Sequence, residues 1–285
     1  MSVRLTSPAY IRDLLKELNF KPGKSMGQNF LIDANILKII LDSAELNPED
    51  SVLEIGPGLG VLTDGLTECV RRVVAIEKDV KLYAFLESRY SAKKNIELIN
   101  ADALDLPLNS ILASGITKVV SNLPYSVGSR ILVNIFKAHR KPQTIAVTLQ
   151  TDVAERIAAS PGGGQYGLMS VLAQRFYEVS IEKTVGPNCF MPRPRVDSAL
   201  LVCKLRPKPL VEVLDDELFL RMVKMTFTHR RKIITNALRG AGFDTETATE
   251  ALIDAGIDVQ SRPAVLSVED WGRLSDALTR KAPEQ

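Results

Sequence analysis

The sequence predicts an α/β protein in which a seven-stranded, mostly parallel sheet is followed by a smaller all-α domain. From residue 51 to about residue 149, short β-branched apolar runs alternate with segments of helical periodicity. This alternation is typical of a parallel sheet whose strands are joined by helices on both faces. Pro207-Lys208-Pro209 then interrupts the chain, because two prolines disrupt either kind of element. Beyond it, only segments of helical periodicity follow.

The individual elements follow from periodicity and capping residues. Strands are predicted at residues 51–55, 73–76, 96–99, 116–120, 143–149, 178–184 and 198–205. Helices are predicted at 7–18, after a cap at Asp33, from Val61, and at 151–159 and 166–176. Later helices are expected near 216–226, 230–238, 245–255 and 268–278. The expected domains are residues 1–207, which include an N-terminal helical segment at 1–45, and residues 208–285.

Composition indicates a globular protein of the cytoplasm. The chain has 285 residues, is 45% hydrophobic and carries a net charge of +2. It has neither a signal-peptide pattern at its start nor an apolar run near 18 residues, so no membrane span is expected. Its three cysteines are scattered and its two histidines are far apart, which suits a reducing compartment and predicts no metal site.

A glycine-rich loop follows the first long strand. Gly56-Pro57-Gly58-Leu59-Gly60 allows the backbone to turn sharply and approach a ligand closely. The dinucleotide fingerprint would need glycine where Val61 stands. Glu77 and Asp102 follow the next two strands, where they could bind ribose hydroxyls and an adenine amine. This order of residues favours S-adenosylmethionine (SAM) over NAD as the cofactor.

The tetrapeptide Asn122-Leu123-Pro124-Tyr125 follows the fourth of these strands. The N6 amine of adenine is a poor nucleophile, so an enzyme that alkylates it must accept hydrogen bonds from the amine protons. The side-chain oxygen of Asn122 and a backbone carbonyl beside Pro124 are suited to this, and proline keeps the turn rigid. Tyr125 offers a face on which a flipped base can stack. The alternative is an ordinary Asn-x-Pro turn with a packing tyrosine.

Five motifs in order make the sequence resemble the bacterial small-subunit ribosomal RNA adenine N6-dimethyltransferases. The resemblance runs from about Lys24 to the C-terminal helices. It implies that two adjacent adenosines, in a hairpin loop near the 3′ end of 16S rRNA, are dimethylated with SAM during ribosome assembly. The motifs are Gly27-Gln28-Asn29-Phe30-Leu31, Glu54-Ile55-Gly56-Pro57-Gly58-Leu59-Gly60, Asn122-Leu123-Pro124-Tyr125, Gln165-Tyr166-Gly167-Leu168-Met169-Ser170-Val171 and Phe190-Met191-Pro192-Arg193-Pro194-Arg195-Val196-Asp197-Ser198-Ala199.

The resemblance also implies roles for single residues. It makes Phe190, which alone would be read as a core residue, the second face of an aromatic clamp opposite Tyr125. Glu54 is expected to order the glycine loop or the methionine end of SAM. Leu123 is expected to leave space for an amine that is already methylated once. The full cofactor-binding set is Gln28, Asn29, Leu31, Glu54, Gly56, Gly58, Glu77, Asp102 and Asn122, and the catalytic set is Asn122, Leu123, Pro124, Tyr125 and Phe190.

Basic residues cluster in a stretch without acids, residues 219–240. We predict RNA phosphate contacts for Arg221, Lys224, Arg230, Arg231 and Lys232, with a helix beginning at Arg230. A second basic segment, Arg4, Arg12, Lys16, Lys21 and Lys24, precedes the first glycine motif. The alternative for both segments is a solvated surface.

Three other functions remain open at this stage. The nearest is an adenine N6-dimethyltransferase of large-subunit rRNA that confers antibiotic resistance. The second is a ribosome-assembly or transcription factor that keeps the fold without catalysis. The third is an NAD-dependent oxidoreductase, which Val61 disfavours. We expect a monomer whose partner is 16S rRNA within the small ribosomal subunit or its precursor.

Overall fold

The computed structural model describes residues 3–23 and 27–281, which form two compact units. The first comprises Met1–Ala154 and Ser180–Leu205, and the second comprises Glu155–Val179 and Arg206–Gln285. The expected boundary after residue 207 is close to the observed division at Arg206. The sequence pattern places residues 155–179 in the larger domain, whereas they lie in the second unit. Within the described residues, no helix is long and apolar enough to cross a bilayer.

Seven strands form the central sheet, as predicted. They are β2 (Ser51–Ile55), β3 (Arg72–Glu77), β4 (Ile96–Asn100), β5 (Lys118–Asn122), β6 (Thr144–Gln150), β7 (Tyr177–Val185) and β9 (Ser198–Leu205). Their order across the sheet is β4-β3-β2-β5-β6-β9-β7. Strands β2 to β6 are parallel to one another, whereas β9 runs antiparallel to β6.

The connectivity creates a binding edge in the middle of this sheet. From β2 the chain proceeds outward through β3 and β4, and then returns to place β5 on the other side of β2. The carboxyl ends of β2 and β5 therefore lie side by side at the point where the strand order reverses, which is where such sheets bind ligands. Strand β5 extends to Asn122, two residues beyond the predicted end, so Asn122 is held by the sheet itself.

Two further strands were not predicted. β1 (Phe30–Leu31) and β8 (Phe190–Met191) pair antiparallel, with Phe30 opposite Met191 and Leu31 opposite Phe190. A strand of two residues has no periodicity that a sequence pattern can reveal. The ladder joins residues 27–31, which we call the 27–31 segment, to the loop that contains Phe190.

The helix that was predicted to follow a cap at Asp33 begins there. Asp33 Oδ1 accepts hydrogen bonds from the backbone N–H groups of Asn35 and Ile36, at 2.9 and 3.0 Å. In the first unit the helices are α1 (Pro8–Glu17), α2 (Ala34–Ser43), α3 (Val61–Cys69), α4 (Val80–Tyr90), α5 (Leu108–Ala113) and α6 (Gly128–Lys137), and α7 (Thr151–Ala158) continues into the second. The second unit also contains α8 (Leu168–Gln174), α9 (Asp216–Thr228), α10 (Ile234–Gly240), α11 (Thr245–Asp254) and α12 (Val268–Lys281).

The predicted helix from Arg230 is wrong. The N–H of Lys232 donates to the carbonyl of His229 at 2.8 Å, which makes a turn there. Ile233 is extended, and the N–H of Ile234 donates to the carbonyl of Ser261 at 2.7 Å instead of to a preceding helical turn. Helix α10 therefore begins at Ile234, and the basic residues at 230–232 lie in the turn.

Candidate active site

A cleft at the carboxyl edge of β2, β3 and β5 brings together every predicted cofactor-binding residue. Its walls come from the 27–31 segment, the glycine loop and the residues that follow each strand. The predicted residues in its lining are Gln28, Asn29, Leu31, Glu54, Gly56, Gly58, Glu77, Asp102 and Asn122, together with Leu123 and Pro124. Tyr125 and Phe190 are outside this lining.

The glycine loop is shaped by positive φ angles at Gly56, Gly58 and Gly60 and by close contacts. Gly56 has φ +74°, and a Cβ there would lie 3.1 Å from Cγ of Pro124. Gly58 has φ +60°, and a Cβ there would lie 2.9 Å from the ring of Phe30. Any other residue would be strained at these φ values and would push against its neighbour. The loop therefore contacts both the Pro124 turn and the 27–31 segment.

Glu77 holds the backbone of this loop. Its Oε2 accepts a hydrogen bond from the N–H of Gly58 at 3.1 Å, and its Oε1 accepts one from the N–H of Asp79 at 2.9 Å. Burial raises the pKa of Glu77, although both backbone hydrogen bonds oppose that rise. Each carboxylate oxygen keeps a lone pair for a further donor, such as a ribose hydroxyl.

Asp102 has a partner that was not foreseen, Lys78. The Lys78 ammonium donates to Oδ2 of Asp102 at 2.7 Å, and the N–H of Leu104 donates to Oδ1 at 2.9 Å. The hydrogen bond from Lys78 is the main cause that lowers the pKa of Asp102. Asp102 is thus held as an acceptor at the rim of the cleft. The sequence contained a signal for this contact, because Lys78 directly follows Glu77 at the end of the strand adjacent to that of Asp102.

Glu54 is a buried carboxyl at the end of β2. Its side chain is 1% exposed, and Thr63 Oγ1 donates to its Oε2 at 2.7 Å. Burial is the main cause that raises the pKa of Glu54 to about 8, with Glu77 and Asp64 adding to the rise. A cation placed in the cleft would favour the ionised form. Among the described residues, no group of three or more His, Cys, Asp or Glu side chains could hold a metal ion.

Asn122 is fixed at both ends of its amide. Its Nδ2 donates to the backbone carbonyl of Asn29 at 2.8 Å, and its Oδ1 accepts from Thr148 Oγ1 at 2.5 Å. Sequence reasoning missed Thr148, because a threonine within an apolar run is an ordinary strand residue. Asn29 was expected to contact the cofactor, and its carbonyl also orients Asn122.

The backbone carbonyls of Leu123 and Pro124, in the turn after Asn122, differ in the hydrogen bonds that they accept. Pro124 O already accepts from the N–H groups of Val127 and Gly128, at 3.2 and 2.8 Å. Leu123 O accepts no backbone N–H among the described residues. Of the two carbonyls, that of Leu123 is therefore the one whose oxygen is not occupied by a backbone donor. The Leu123 side chain is 1% exposed and packs close to Gly128.

Tyr125 and Phe190 do not form a parallel clamp in this structure. Their ring centroids are 6.5 Å apart with an interplanar angle of 76°, so the rings meet edge to face. The Tyr125 hydroxyl is hydrogen-bonded to Ser198 Oγ, and Phe190 is only 2% exposed. A base held between two faces needs near-parallel rings roughly 7 Å apart, so at least one ring would have to turn.

The predicted RNA-contacting residues are all exposed and lie in the second unit. Arg221 and Lys224 are one turn apart in α9. Arg230, Arg231 and Lys232 lie in the turn before α10, where Arg230 donates to the carbonyl of Gly164 at 2.8 Å. In the N-terminal basic segment, Lys24 falls outside the described residues.

Two solved structures similar to this one are those of an rRNA methyltransferase and a dimethyladenosine transferase. The crystal structure of the 23S rRNA methyltransferase ErmE has a TM-score of 0.64 and 30% identity, covering 88% of this chain and all of that one. A dimethyladenosine transferase from Plasmodium falciparum has a TM-score of 0.73 and 20% identity, over 86% of this chain and 95% of that one. The second likeness is one of fold. The fold and the glycine-lined cleft thus define a methyltransferase.

The family is defined by a match over nearly the whole chain. Residues 19–280 match the model of the ribosomal RNA adenine dimethylase family, and the chain belongs to that family. Ribosomal RNA small subunit methyltransferase A of Shouchella clausii is 42% identical over 96% of this chain and 95% of the relative. The protein of that name from Moorella thermoacetica is 38% identical over 96% and 98%. The predicted family, fold class and enzyme class are confirmed.

The buried Glu54 predicts how stability depends on pH. Its pKa is raised from 4.5 to about 8 on folding, so the unfolded chain releases a proton that the folded one keeps. The contribution of Glu54 to the free energy of unfolding is therefore fully present below pH 4.5. As pH rises toward 8, this contribution is lost and the free energy of unfolding falls by at most a few kcal/mol. Glu54→Gln removes this titration. Thermal unfolding of the ligand-free protein between pH 5 and 9 should therefore show a smaller decline for Glu54→Gln than for wild type.

The matched control is Glu49→Gln, which changes an exposed carboxyl near the start of the same strand. It should follow the wild-type pH curve. Parallel curves for wild type and Glu54→Gln would mean that Glu54 stays ionised in the folded protein.

Proposed function

We propose that this protein transfers methyl groups from SAM to the N6 amines of two adjacent adenosines in a hairpin loop near the 3′ end of 16S rRNA. The substrate is the small ribosomal subunit or its precursor in the cytoplasm, and the product is N6,N6-dimethyladenosine. The observation that carries the proposal is the position of Asn122. Its amide lies in the same cleft as the glycine loop, at the carboxyl edge of neighbouring strands.

The cleft suits a nucleoside cofactor that carries a cation. Two glycines with left-handed backbone leave room for close approach, and Glu77 and Asp102 supply acceptors at successive strand ends. Glu54 adds a buried carboxyl that a cation would stabilise in its ionised form. When bound, SAM supplies an activated methyl group. In our proposal Glu77 binds the ribose, Asp102 binds the adenine amine, and the 27–31 segment covers the cofactor.

The protein's contribution to the reaction is positioning and charge stabilisation. Asn122 Oδ1 and Leu123 O each accept one proton of the target amine, which directs the nitrogen lone pair into the cleft. The methylated nitrogen is acidic, so its proton is lost to solvent without a strong base. Tyr125 and Phe190 stack on the flipped base in our proposal, and this requires at least one of the two rings to turn from the edge-to-face arrangement.

The comparisons favour a small-subunit substrate over the alternatives. Identity to small subunit methyltransferase A of Shouchella clausii is 42%, against 30% to the 23S rRNA methyltransferase ErmE. An assembly factor without catalysis would not need an asparagine amide held at both ends beside a glycine loop. A methyl-transfer assay on unmodified small subunits, with large subunits as the competing substrate, tests the assignment. Transfer only to large subunits would contradict it.

Asn122→Ala separates chemistry from binding. The variant removes an acceptor that matters when charge develops on the amine, so methyl transfer should fall by about 100-fold or more. Affinity for SAM and for the small subunit should stay within a few-fold of wild type. Single-turnover rates, with calorimetry for SAM, measure both effects. The control is Asn109→Ala, which changes an asparagine outside the cleft, and near-normal rates for Asn122→Ala would reduce Asn122 to a turn residue.

Glu77→Ala tests the cofactor site. The change removes acceptors for the ribose and also releases the N–H of Gly58, so SAM binding should weaken by about 1–3 kcal/mol. Calorimetric titration with SAM measures the loss. Glu97→Ala, on the exposed surface of the next strand, should bind SAM as wild type does. Equal affinities for the two variants would rule out Glu77 as a cofactor ligand.

A triple variant tests the basic residues of the second unit. Replacing Arg221, Lys224 and Arg230 together by glutamine should weaken binding to the small subunit and flatten its salt dependence. The expected change in slope is about 0.7–0.9 log units for each phosphate that the variant no longer neutralises, because fewer counterions are released. Affinity for SAM should not change.

A charge-matched control uses three other exposed lysines, Lys94, Lys137 and Lys208, replaced by glutamine. If both triple variants have the same salt slope, the basic residues of α9 and the following turn are only solvated, and the N-terminal basic segment becomes the candidate.

A further inference from the structure

Thr148 lies beside the proposed catalytic asparagine without lining the cleft. It is opposite Asn122 in the register of β5 and β6, and it is fully buried. Its hydroxyl donates to Asn122 Oδ1 at 2.5 Å, and its carbonyl accepts from the N–H of Leu123 at 3.0 Å. Thr148 is absent from the cleft lining, so any effect on the substrate must pass through Asn122 and Leu123.

The hydrogen bonds leave one orientation for the Asn122 amide. The carbonyl of Asn29 can only accept, so the amide atom that faces it must be Nδ2. The other amide atom, Oδ1, therefore faces Thr148, whose hydroxyl donates to it. One tether alone would let the amide swing about that hydrogen bond, whereas two tethers from opposite sides fix its plane.

The hydrogen bond from Thr148 also limits what Asn122 can accept. An amide oxygen has two lone pairs, and Thr148 occupies one of them. A single acceptor direction remains for the substrate amine. The two acceptors of the tetrapeptide turn are thus the remaining lone pair of Asn122 Oδ1 and the carbonyl oxygen of Leu123. The N–H of Leu123 is itself held by the carbonyl of Thr148.

We propose that Thr148 is a positioning residue for methyl transfer and that the second methylation depends on it more than the first. This inference rests on the proposed dimethylation of adenosine. In each transfer the amine nitrogen forms a bond to the methyl carbon while the carbon–sulfur bond breaks, and sulfur keeps the electron pair. The nitrogen then loses one proton to solvent.

The difference between the two transfers follows from the number of N–H donors. Unmodified adenine presents two amine protons, so Asn122 and Leu123 together orient the nitrogen even if one acceptor is loose. N6-methyladenine presents one proton, and its orientation depends on a single hydrogen bond. A poorly fixed Asn122 amide should therefore slow the second transfer most, and the monomethylated product should accumulate.

The experiment compares Thr148→Val, Thr148→Ser and Thr144→Val in methyl transfer to unmodified small subunits. Valine removes the hydroxyl at similar size, whereas serine keeps it. Thr144 is a buried threonine on the same face of β6, at the end away from the cleft, and so controls for the loss of a buried hydroxyl. The readouts are the ratio of monomethyl- to dimethyladenosine over time, the rate of each transfer, and SAM affinity by calorimetry.

Thr148→Val should slow the second transfer about 10-fold and the first by no more than a few-fold. Thr148→Ser and Thr144→Val should give the wild-type product ratio, and all three variants should bind SAM normally. A wild-type ratio for Thr148→Val, or equal impairment of Thr148→Ser, would overturn the inference. If Thr148→Val does not fold, Thr148→Cys takes its place, because it keeps the size with only a weak donor. Failure of wild type to methylate small subunits would instead refute the proposed function.

Discussion

The close approach of Gly56 to Pro124 is the constraint on which the site depends. These residues lie at the start of the loops that follow two neighbouring strands, and a Cβ on Gly56 would lie 3.1 Å from Cγ of Pro124. Two loops in contact bring the proposed cofactor pocket and the proposed amine-binding turn into one cleft. A direct transfer needs this proximity, because the reacting atoms must be held close and aligned. Glycine at position 56 is therefore needed for the close approach of Pro124 as well as for the close approach of a ligand.

The 27–31 segment links the remaining parts of the site. Phe30 packs against Gly58, the carbonyl of Asn29 holds the Asn122 amide, and the β1–β8 ladder joins the segment to Phe190. A shift of this segment would therefore change the position of the glycine loop, of the Asn122 amide and of the Tyr125–Phe190 pair together. In the proposed function, binding of the cofactor and orientation of the target amine are therefore connected through one short stretch of chain.

Residues at strand ends were predictable, and residues that act through other side chains were not. Glu77, Asp102 and Asn122 each follow an apolar run, and parallel strands place such residues at one edge. Thr148 lies inside a strand, where threonine is common, and only the register reveals its partner. Lys78 was missed because its role depends on the adjacent strand.

Local competition explains the other differences between expectation and structure. The residues from Arg230 onward have the composition of a helix. A turn at His229 and the hydrogen bond from the N–H of Ile234 to the carbonyl of Ser261 prevent a helix from beginning at Arg230. The clamp of Tyr125 and Phe190 was implied by the family resemblance, and the presence of two aromatic residues does not determine how their rings are oriented. Side-chain orientation depends on neighbours that are distant in sequence, such as Ser198.

The pairing of Phe30 with Met191 has a consequence for biosynthesis. Domains fold during translation from the N-terminus onward, yet this ladder cannot form until residue 191 has left the ribosome. Until then the 27–31 segment lacks its partner strand, although the glycine loop and Asn122 have already emerged. The cleft is therefore completed late in synthesis, and an unfinished chain with its central strands in place still lacks a closed site.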